Sequence, residues 1–196
     1  MDKNFKKHVD EMTKQDWEDL YEFRSRIGSF YSNSIDCADK LEYFYKLSLK
    51  QEETVKKYLE SIGCIKVEYM DKDREYIFAY IQNHGTPDLL IDDKFKVEVK
   101  NFYLTNYRSN KHIKLNFRAN VYGLDEPHMK EAIWKKNFHD ADYVFFVNPE
   151  CNDICFSIKK YDMLSMKIIG NPDNTLNCKQ RITAYLPVSD LIEYFN

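Results

Sequence analysis

The spacing of apolar residues divides this chain into helical and strand-like segments. Apolar positions recur at helical spacing over residues 5–27, 35–50 and 51–62, and Gly63 is a typical residue to follow the last of these helices. Further helices are predicted over residues 127–139, 161–166 and 187–195. Short apolar or alternating runs predict strands over residues 64–69, 74–82, 87–92, 95–101, 111–117, 143–147, 154–158 and 182–186. Helices and strands interspersed in this way predict an α/β or α+β fold.

The clearest strand pattern lies between Leu89 and Asn101. Apolar and charged residues alternate strictly over residues 95–100, so one face is predicted to pack on the core and the other to carry charge. The apolar face holds Phe95, Val97 and Val99, and the charged face holds Lys96, Glu98 and Lys100. The apolar run 89–91 precedes this strand, with Asp92-Asp93-Lys94 as a polar reversal between them. If the two runs pair as a hairpin, Asp88 lies near Glu98 or Lys100.

The chemistry of these side chains is that of a metal-dependent phosphodiesterase. Mg²⁺ takes oxygen ligands and keeps several waters, so the carboxylates of Asp88 and Glu98 would form part of its shell. The metal neutralises charge on the scissile phosphate and lowers the pKa of a bound water. The ammonium of Lys100 has the chemistry needed to orient that water or to help remove its proton.

A charged surface hairpin is the alternative, since 31% of the residues are charged. The dipeptide Pro-Asp carries little information alone. A second copy, Pro172-Asp173, has no Glu-x-Lys on an apolar strand after it, and we predict a turn there. His84, four residues before Asp88, is predicted to be a loop residue. The full order of Pro-Asp, strand, turn, strand and Glu-x-Lys is what favours a functional site.

Pro87-Asp88, nine intervening residues and Glu98-Val99-Lys100 resemble the signature of the PD-(D/E)xK nuclease superfamily, which includes restriction endonucleases and Holliday junction resolvases. The resemblance implies that Asp88 and Glu98 ligate Mg²⁺, for which Mn²⁺ substitutes, and that Val99 offers its backbone carbonyl to the metal. It also implies that Lys100 acts on the attacking water. The implied fold is a restriction endonuclease-like α-β-β-β-α-β core with a mixed central sheet flanked by helices. The motif covers about seventeen residues, and the order of elements agrees over roughly residues 50–195.

The same superfamily often places a further carboxylate on the helix before the first core strand. Over residues 51–62, Glu52 lies on the same side as Val55 and Leu59 and is therefore predicted to face inward. Glu52 is accordingly an auxiliary catalytic candidate. The alternative is that an acidic residue in a first helical turn complements the helix dipole.

Length and composition indicate a folded chain of one main domain. The 196 residues are 43% hydrophobic and contain no apolar run long enough to span a membrane. We predict a helical extension over residues 1–48 and a nuclease domain over residues 49–196. The N-terminus lacks the apolar stretch of a signal peptide, which predicts a cytoplasmic protein. Five cysteines without paired spacing support neither a disulfide framework nor a zinc site.

A net charge of −3 argues against general nucleic-acid binding, but the distribution of charge is uneven. No Asp or Glu occurs between Val99 and Leu124, and aromatic residues are interleaved with cations in this stretch. The candidate phosphate contacts are Arg108, Lys111, Lys114 and Arg118. The alternative is a solvated strand pair with its aromatic residues in the core.

Together these features predict a Mg²⁺-dependent endonuclease acting on DNA, in a restriction-type homodimer, because duplex cleavage needs two sites. A structure-selective resolvase-like nuclease and an RNA-cleaving nuclease fit the same residues. A different class is a nucleic-acid-binding module that keeps the fold without catalysis, and a third is a protein-interaction domain built on the N-terminal helices.

Overall fold

A computed structural model of the chain describes residues 1–28, 35–81, 85–102, 108–109, 112–119, 126–165, 180–187 and 192–193. The chain forms two compact units, the first from residues 1–53 and 71–85 and the second from residues 54–70 and 86–196. The sequence predicts a boundary after residue 48. In the structure, the first unit continues to Glu53, and it also takes up a later segment that includes a strand.

The described helices are α1 (Lys14–Arg26), α2 (Ala38–Ser61), α3 (Glu126–Phe138) and α4 (Lys160–Ser165), with a 3-10 turn at Val9–Glu11. The described strands are β1 (Lys6–His8), β2 (Val67–Tyr69), β3 (Tyr76–Phe78), β4 (Leu89–Ile91), β5 (Phe95–Asn101), β6 (Arg108–Ser109), β7 (His112–Ala119), β8 (Tyr143–Val147), β9 (Ile154–Lys159), β10 (Gln180–Pro187) and β11 (Ile192–Glu193).

In the first unit, the single helix predicted over residues 5–27 is wrong at its start. Residues 6–8 form β1, which pairs antiparallel with β3, and the helix begins only at Lys14. Thr13 sets this beginning through a capping box. Its hydroxyl accepts from the Asp16 N–H at 3.2 Å, and the Asp16 carboxylate accepts from the Thr13 N–H at 2.7 Å. The cap satisfies backbone donors that would otherwise lack helical partners.

The helices predicted over residues 35–50 and 51–62 are one continuous helix, α2, of 24 residues. Nothing interrupts them, because this stretch contains neither Gly nor Pro. The helix ends just before Gly63, whose φ of 98° suits glycine alone among the common residues.

The second unit contains the main sheet, with strand order β11-β9-β8-β5-β4-β2. Strands β5 and β8 are parallel, and the other neighbours are antiparallel. Residues 54–61 of α2, then β2, β4, β5, α3 and β8 follow one another in the order that the sequence predicts. The mixed α/β class is therefore confirmed. Strands β10, β7 and β6 form a separate three-stranded sheet.

The helix predicted over residues 187–195 is wrong. Pro187 is the last residue of β10, and Ile192–Glu193 forms β11 against β9. A short apolar run of this kind fits a strand as well as a helix, and the free edge of β9 decides between them. The strand predicted over residues 74–82 exists as β3 but pairs with β1, outside the main sheet.

Two apolar layers cover the main sheet. On one face, residues of α2 pack on β4, β5 and β8, and the buried members of this layer are Val55, Leu59, Val67, Leu89, Ile91, Val97, Phe145, Val147 and Ile154. A second cluster is aromatic and joins α3 to the sheet through Phe138, Phe146 and Phe156. Alternation along β8 separates the clusters, because Phe145 belongs to the first and Phe146 to the second.

None of the helices in the described ranges is both long and apolar enough to cross a bilayer.

The capping box of α1 makes a testable contribution to acid stability. The Lys7 ammonium, 2.7 Å from Asp16, and then the Thr13 hydroxyl and N–H lower the pKa of the Asp16 carboxyl from 3.8 to about 2. The folded state therefore favours the ionised carboxyl. Its contribution is present above the unfolded pKa of about 3.9 and is lost as the pH falls toward 2.

We expect Asp16→Ala to lower the free energy of unfolding at neutral pH by about 1 to 2 kcal/mol, and to lose less further stability than wild type on acidification. Asp19→Ala, in the exposed next turn, is the matched control and should cost less than about 0.5 kcal/mol. Urea unfolding of both variants across this pH window checks the expectation. Equal losses in the two variants would contradict it.

Candidate active site

Asp88 is fixed to the two neighbouring strands by its backbone and its carboxylate. Its N–H donates to the Val97 carbonyl at 3.0 Å, and its carbonyl accepts from the Met70 N–H at 3.0 Å. Its Oδ2 accepts from the Val99 N–H at 2.6 Å. The predicted hairpin is confirmed, with Leu89 opposite Val97 in an antiparallel register. The carboxylate of Asp88 thus lies against the backbone amide that directly follows Glu98.

Glu98 carries a buried carboxylate with a nitrogen partner at each oxygen. Its side chain is 2% exposed. The Lys100 ammonium contacts Oε1, and Nδ1 of His139 lies 3.2 Å from Oε2. A buried carboxylate costs several kcal/mol in desolvation unless ionic and hydrogen-bonding partners offset it. Lys100 and His139 are the partners in position to supply that compensation.

The face of β5 that carries Glu98 and Lys100 is partly covered by the aromatic layer. Glu98, Lys100 and Phe102 share one face by strand periodicity, and Phe102 contacts the rings of Phe146 and Phe156 in the aromatic layer. Lys96, at the start of the strand, is exposed, whereas Lys100 is 37% exposed. Exposure therefore varies along this face, since Glu98 is buried between the exposed Lys96 and Lys100, which retains access to water.

Val99 can contribute a backbone oxygen on the side of Asp88. In a strand, the N–H and C=O of one residue point toward the same neighbouring strand. Since the Val99 N–H donates to Asp88, its carbonyl also points to that side. Pro87, which precedes Asp88, has no N–H to donate there. Asp88 and the Val99 carbonyl thus lie beside the segment of β5 that carries Glu98.

This donor set suits a hard divalent cation in its chemistry, because all three groups offer oxygen and Mg²⁺ completes its shell with water or phosphate. Within the described ranges, no group of three or more His, Cys, Asp or Glu side chains is arranged to hold a metal ion. Protein ligation by these residues would therefore rest on two carboxylates and one carbonyl. Because Lys100 occupies Oε1 of Glu98, cation binding at that oxygen requires the ammonium to move.

Glu52 lies in the first unit, with Arg74 as its partner. Its Oε2 accepts from Arg74 Nε at 2.9 Å, and both side chains are largely buried. Arg74 Nη2 also donates to the Leu49 carbonyl at 3.2 Å on the preceding turn of α2. Asp88, Glu98 and Lys100 belong to the second unit. The auxiliary catalytic role of Glu52 stays a prediction.

Three of the four predicted phosphate-binding cations lie on the three-stranded sheet, Arg108 on β6 and Lys114 and Arg118 on β7. Lys111 lies outside the described residues, as do the side chains of Arg108, Lys114 and Arg118. The backbone register still places these residues. Lys114 is opposite Tyr185 and Arg118 is opposite Arg181, whereas Arg108 is opposite Ile113.

The β7–β10 pair has one polar and one apolar face, since directly opposite residues share a face. The polar face holds His112, Lys114, Asn116 and Arg118 from β7 with Arg181, Thr183, Tyr185 and Pro187 from β10. The apolar face holds Ile113, Leu115, Phe117, Ala119, Ile182, Ala184 and Leu186, with Gln180 as its one polar residue. The polar face includes three cations and no acidic residue within these strands. Lys114 and Arg118 share it, and Arg108 lies on the other face by register.

Two residues of interest escape sequence reasoning. His139 follows α3, and the predicted helix over residues 127–139 includes it, so that only the fold reveals its contact with Glu98. Arg181 joins Lys114 and Arg118 only through the pairing of β10 with β7. The loop assignment of His84 and the turn at Pro172-Asp173 lie outside the described residues.

Comparisons with protein-family models, with curated proteins and with solved structures found no match to this chain.

The contact between Asp88 and Val99 makes a prediction for amide exchange. Asp88→Ala removes the acceptor of the Val99 N–H, and we expect that amide to exchange about 5 to 30 times faster, as a loss of about 1 to 2 kcal/mol implies. Asp88→Asn keeps a side-chain oxygen acceptor and should retain most of the protection.

Amide exchange measured by NMR tests this, with the Lys96 amide as an internal control because it donates to Asp142 at 2.8 Å. Unchanged exchange at Val99 in Asp88→Ala would show that this hydrogen bond does not hold the site together.

Proposed function

We propose that this protein is a Mg²⁺-dependent endonuclease that hydrolyses phosphodiester bonds in DNA. Asp88 and Glu98 are its metal ligands with the Val99 carbonyl, and Lys100 acts on the attacking water. The observation that carries the proposal is the contact of the Lys100 ammonium with the buried Glu98 carboxylate, beside an amide that holds the carboxylate of Asp88. The similarity of these residues to the PD-(D/E)xK signature supports the same assignment.

Bound Mg²⁺ would supply charge neutralisation at the scissile phosphate and a more acidic water. The residues of the chain place the carboxylate and ammonium groups around the cation and the water. Asp88 is held by its bonds to Val97 and Val99, so its carboxylate needs little reorganisation to meet a cation. Lys100 has a flexible stem and partial access to solvent, which allows the ammonium to leave Glu98 and donate to a water beside the phosphate. An ammonium placed there also offsets charge that develops on the phosphate.

The polar face of β7 and β10 supports a nucleic-acid substrate. Lys114, Arg118 and Arg181 lie on it by register, without an acidic neighbour in the two strands. Phosphate affinity comes from such local groups of cations, even in a chain whose net charge is −3. We assign this face to contacts with the backbone that flanks the cleaved bond, and expect a DNA duplex as the substrate.

Cleavage of both strands of a duplex requires two sites, and one chain carries one Asp88-Glu98-Lys100 set. We therefore propose a homodimer with C2 symmetry, acting in the cytoplasm. A branched DNA junction or an RNA is the substrate in the related alternatives. The motif is the same for all three, so the substrate itself must be tested.

A non-catalytic nucleic-acid-binding module is the second candidate function. The observation that favours it is that both oxygens of Glu98 already have partners in Lys100 and His139. If those contacts persist when divalent cations are present, Lys100, Glu98 and His139 stabilise the fold. The polar face of β7 and β10 alone then binds nucleic acid. This candidate predicts DNA binding that does not depend on a divalent cation.

The test is cleavage of plasmid DNA, a branched DNA and a single-stranded RNA with Mg²⁺, Mn²⁺ or EDTA. We expect metal-dependent cleavage of DNA by the wild type and a loss of about 100-fold or more in Lys100→Ala. Lys96→Ala is the matched control, because Lys96 lies on the same strand and by alternation on the same face but is exposed. It should cleave within about threefold of wild type, since the side chain of Lys96 is exposed to solvent and has no role in the proposed chemistry.

Equal activity in Lys100→Ala and wild type would contradict the assignment of Lys100. No cleavage of any substrate by the folded wild-type protein would contradict the nuclease itself. Metal-independent DNA binding in that case would establish the binding module.

A further inference from the structure

The turn between α3 and β8 is fixed on both sides, and it carries His139. The Ala141 N–H donates to the Phe138 carbonyl at 2.9 Å, and the Trp134 indole N–H donates to the Ala141 carbonyl at 2.7 Å, which ties the turn to the helix. On the other side, Asp142 and Lys96 exchange two hydrogen bonds, each of 2.8 Å. The turn therefore has little freedom relative to β5.

His139 is held in an uncommon backbone conformation within this turn. Its φ is 49° and that of Asp140 is 60°, in the left-handed region. This conformation follows the end of α3 and directs the chain toward β8. The side chain then reaches β5, where Nδ1 lies 3.2 Å from Oε2 of Glu98.

We propose that His139 is a positioning residue that fixes the Glu98 carboxylate for cation binding, a role that rests on the proposed metal site. The two oxygens of Glu98 have donors of different kinds. The Lys100 ammonium at Oε1 stands on a flexible stem, whereas the imidazole at Oε2 stands on an anchored turn. His139 keeps Oε2 in place while Lys100 releases Oε1 to the cation.

The hydrogen bond to Glu98 also determines which nitrogen of the His139 imidazole carries the hydrogen. An ionised carboxylate only accepts hydrogen bonds, so Nδ1 of His139 must carry the hydrogen. In the neutral ring, Nε2 then has the lone pair. Partners of this kind, which orient a ligand without touching the metal, typically change metal affinity by 10 to 100-fold when removed.

The first experiment needs no metal and no variant. In wild-type protein with EDTA, ¹⁵N NMR of the imidazole distinguishes a nitrogen that bears hydrogen from one with a lone pair. We expect Nδ1 of His139 to bear hydrogen. A bare Nδ1 would overturn the proposal, because such a nitrogen cannot donate to Glu98.

The second experiment compares two substitutions that both tolerate the positive φ at this position. His139→Gly removes the imidazole, and His139→Asn places an amide donor close to where Nδ1 lies. We expect His139→Gly to weaken Mn²⁺ binding, measured by calorimetry, by about tenfold or more, and His139→Asn to restore most of the affinity. Thermal unfolding checks that both variants remain folded, and the tautomer measurement decides the question if they do not.

The outcomes separate this role from the metal site. Wild-type affinity in His139→Gly, together with loss of Mn²⁺ binding in Glu98→Gln, would overturn the positioning role and leave the metal site standing. Equal weakening in His139→Gly and His139→Asn would also overturn it, since the donor would not matter. Absence of Mn²⁺ binding by wild type would overturn the metal site and this role together.

Discussion

Burial of the Glu98 carboxylate is the constraint on which this site depends. A carboxylate with a 2% exposed side chain destabilises the fold by several kcal/mol unless donors compensate it. Lys100 provides one donor from the same strand, and we assign the other to His139, on the turn that leads into β8. Because β8 runs parallel to β5, the chain between them must cross over, and α3, the last element of that connection, ends where His139 contacts Glu98. The parallel pairing of β5 and β8 thus brings a partner to the buried charge of Glu98.

Local periodicity explains why the sequence predicts so much of this site. Glu98 and Lys100 share a face because they are two residues apart on a strand, and the turn at Asp92-Asp93 brings Asp88 to the same strand. The periodicity of apolar residues also predicts the central helices and strands. His139 lies 41 residues from Glu98, and no local pattern connects them. Arg74, the partner of Glu52, is likewise visible only in the folded chain.

Sequence reasoning is weakest where neighbours decide between two local structures. Residues 6–8 form a strand because β3 offers an edge, and residues 192–193 do so because β9 offers one. Each strand is only two or three residues long, which is too short for a local sequence pattern to distinguish a strand from a helix. The pairing of β7 with β10 is a further long-range effect, and it places Arg181 opposite Arg118 on one polar face. The face that we propose for contacts with a polyanion therefore combines two distant stretches of chain.

We propose that Asp88 and Glu98 bind one divalent cation, and anomalous diffraction from crystals grown with Mn²⁺ tests this most directly. We expect an anomalous peak about 2.1 Å from a carboxylate oxygen of Asp88 and of Glu98 and from the Val99 carbonyl, with Lys100 displaced from Oε1. A well-ordered site in which Lys100 and His139 still hold Glu98, with no anomalous peak between the two carboxylates, would contradict this metal site.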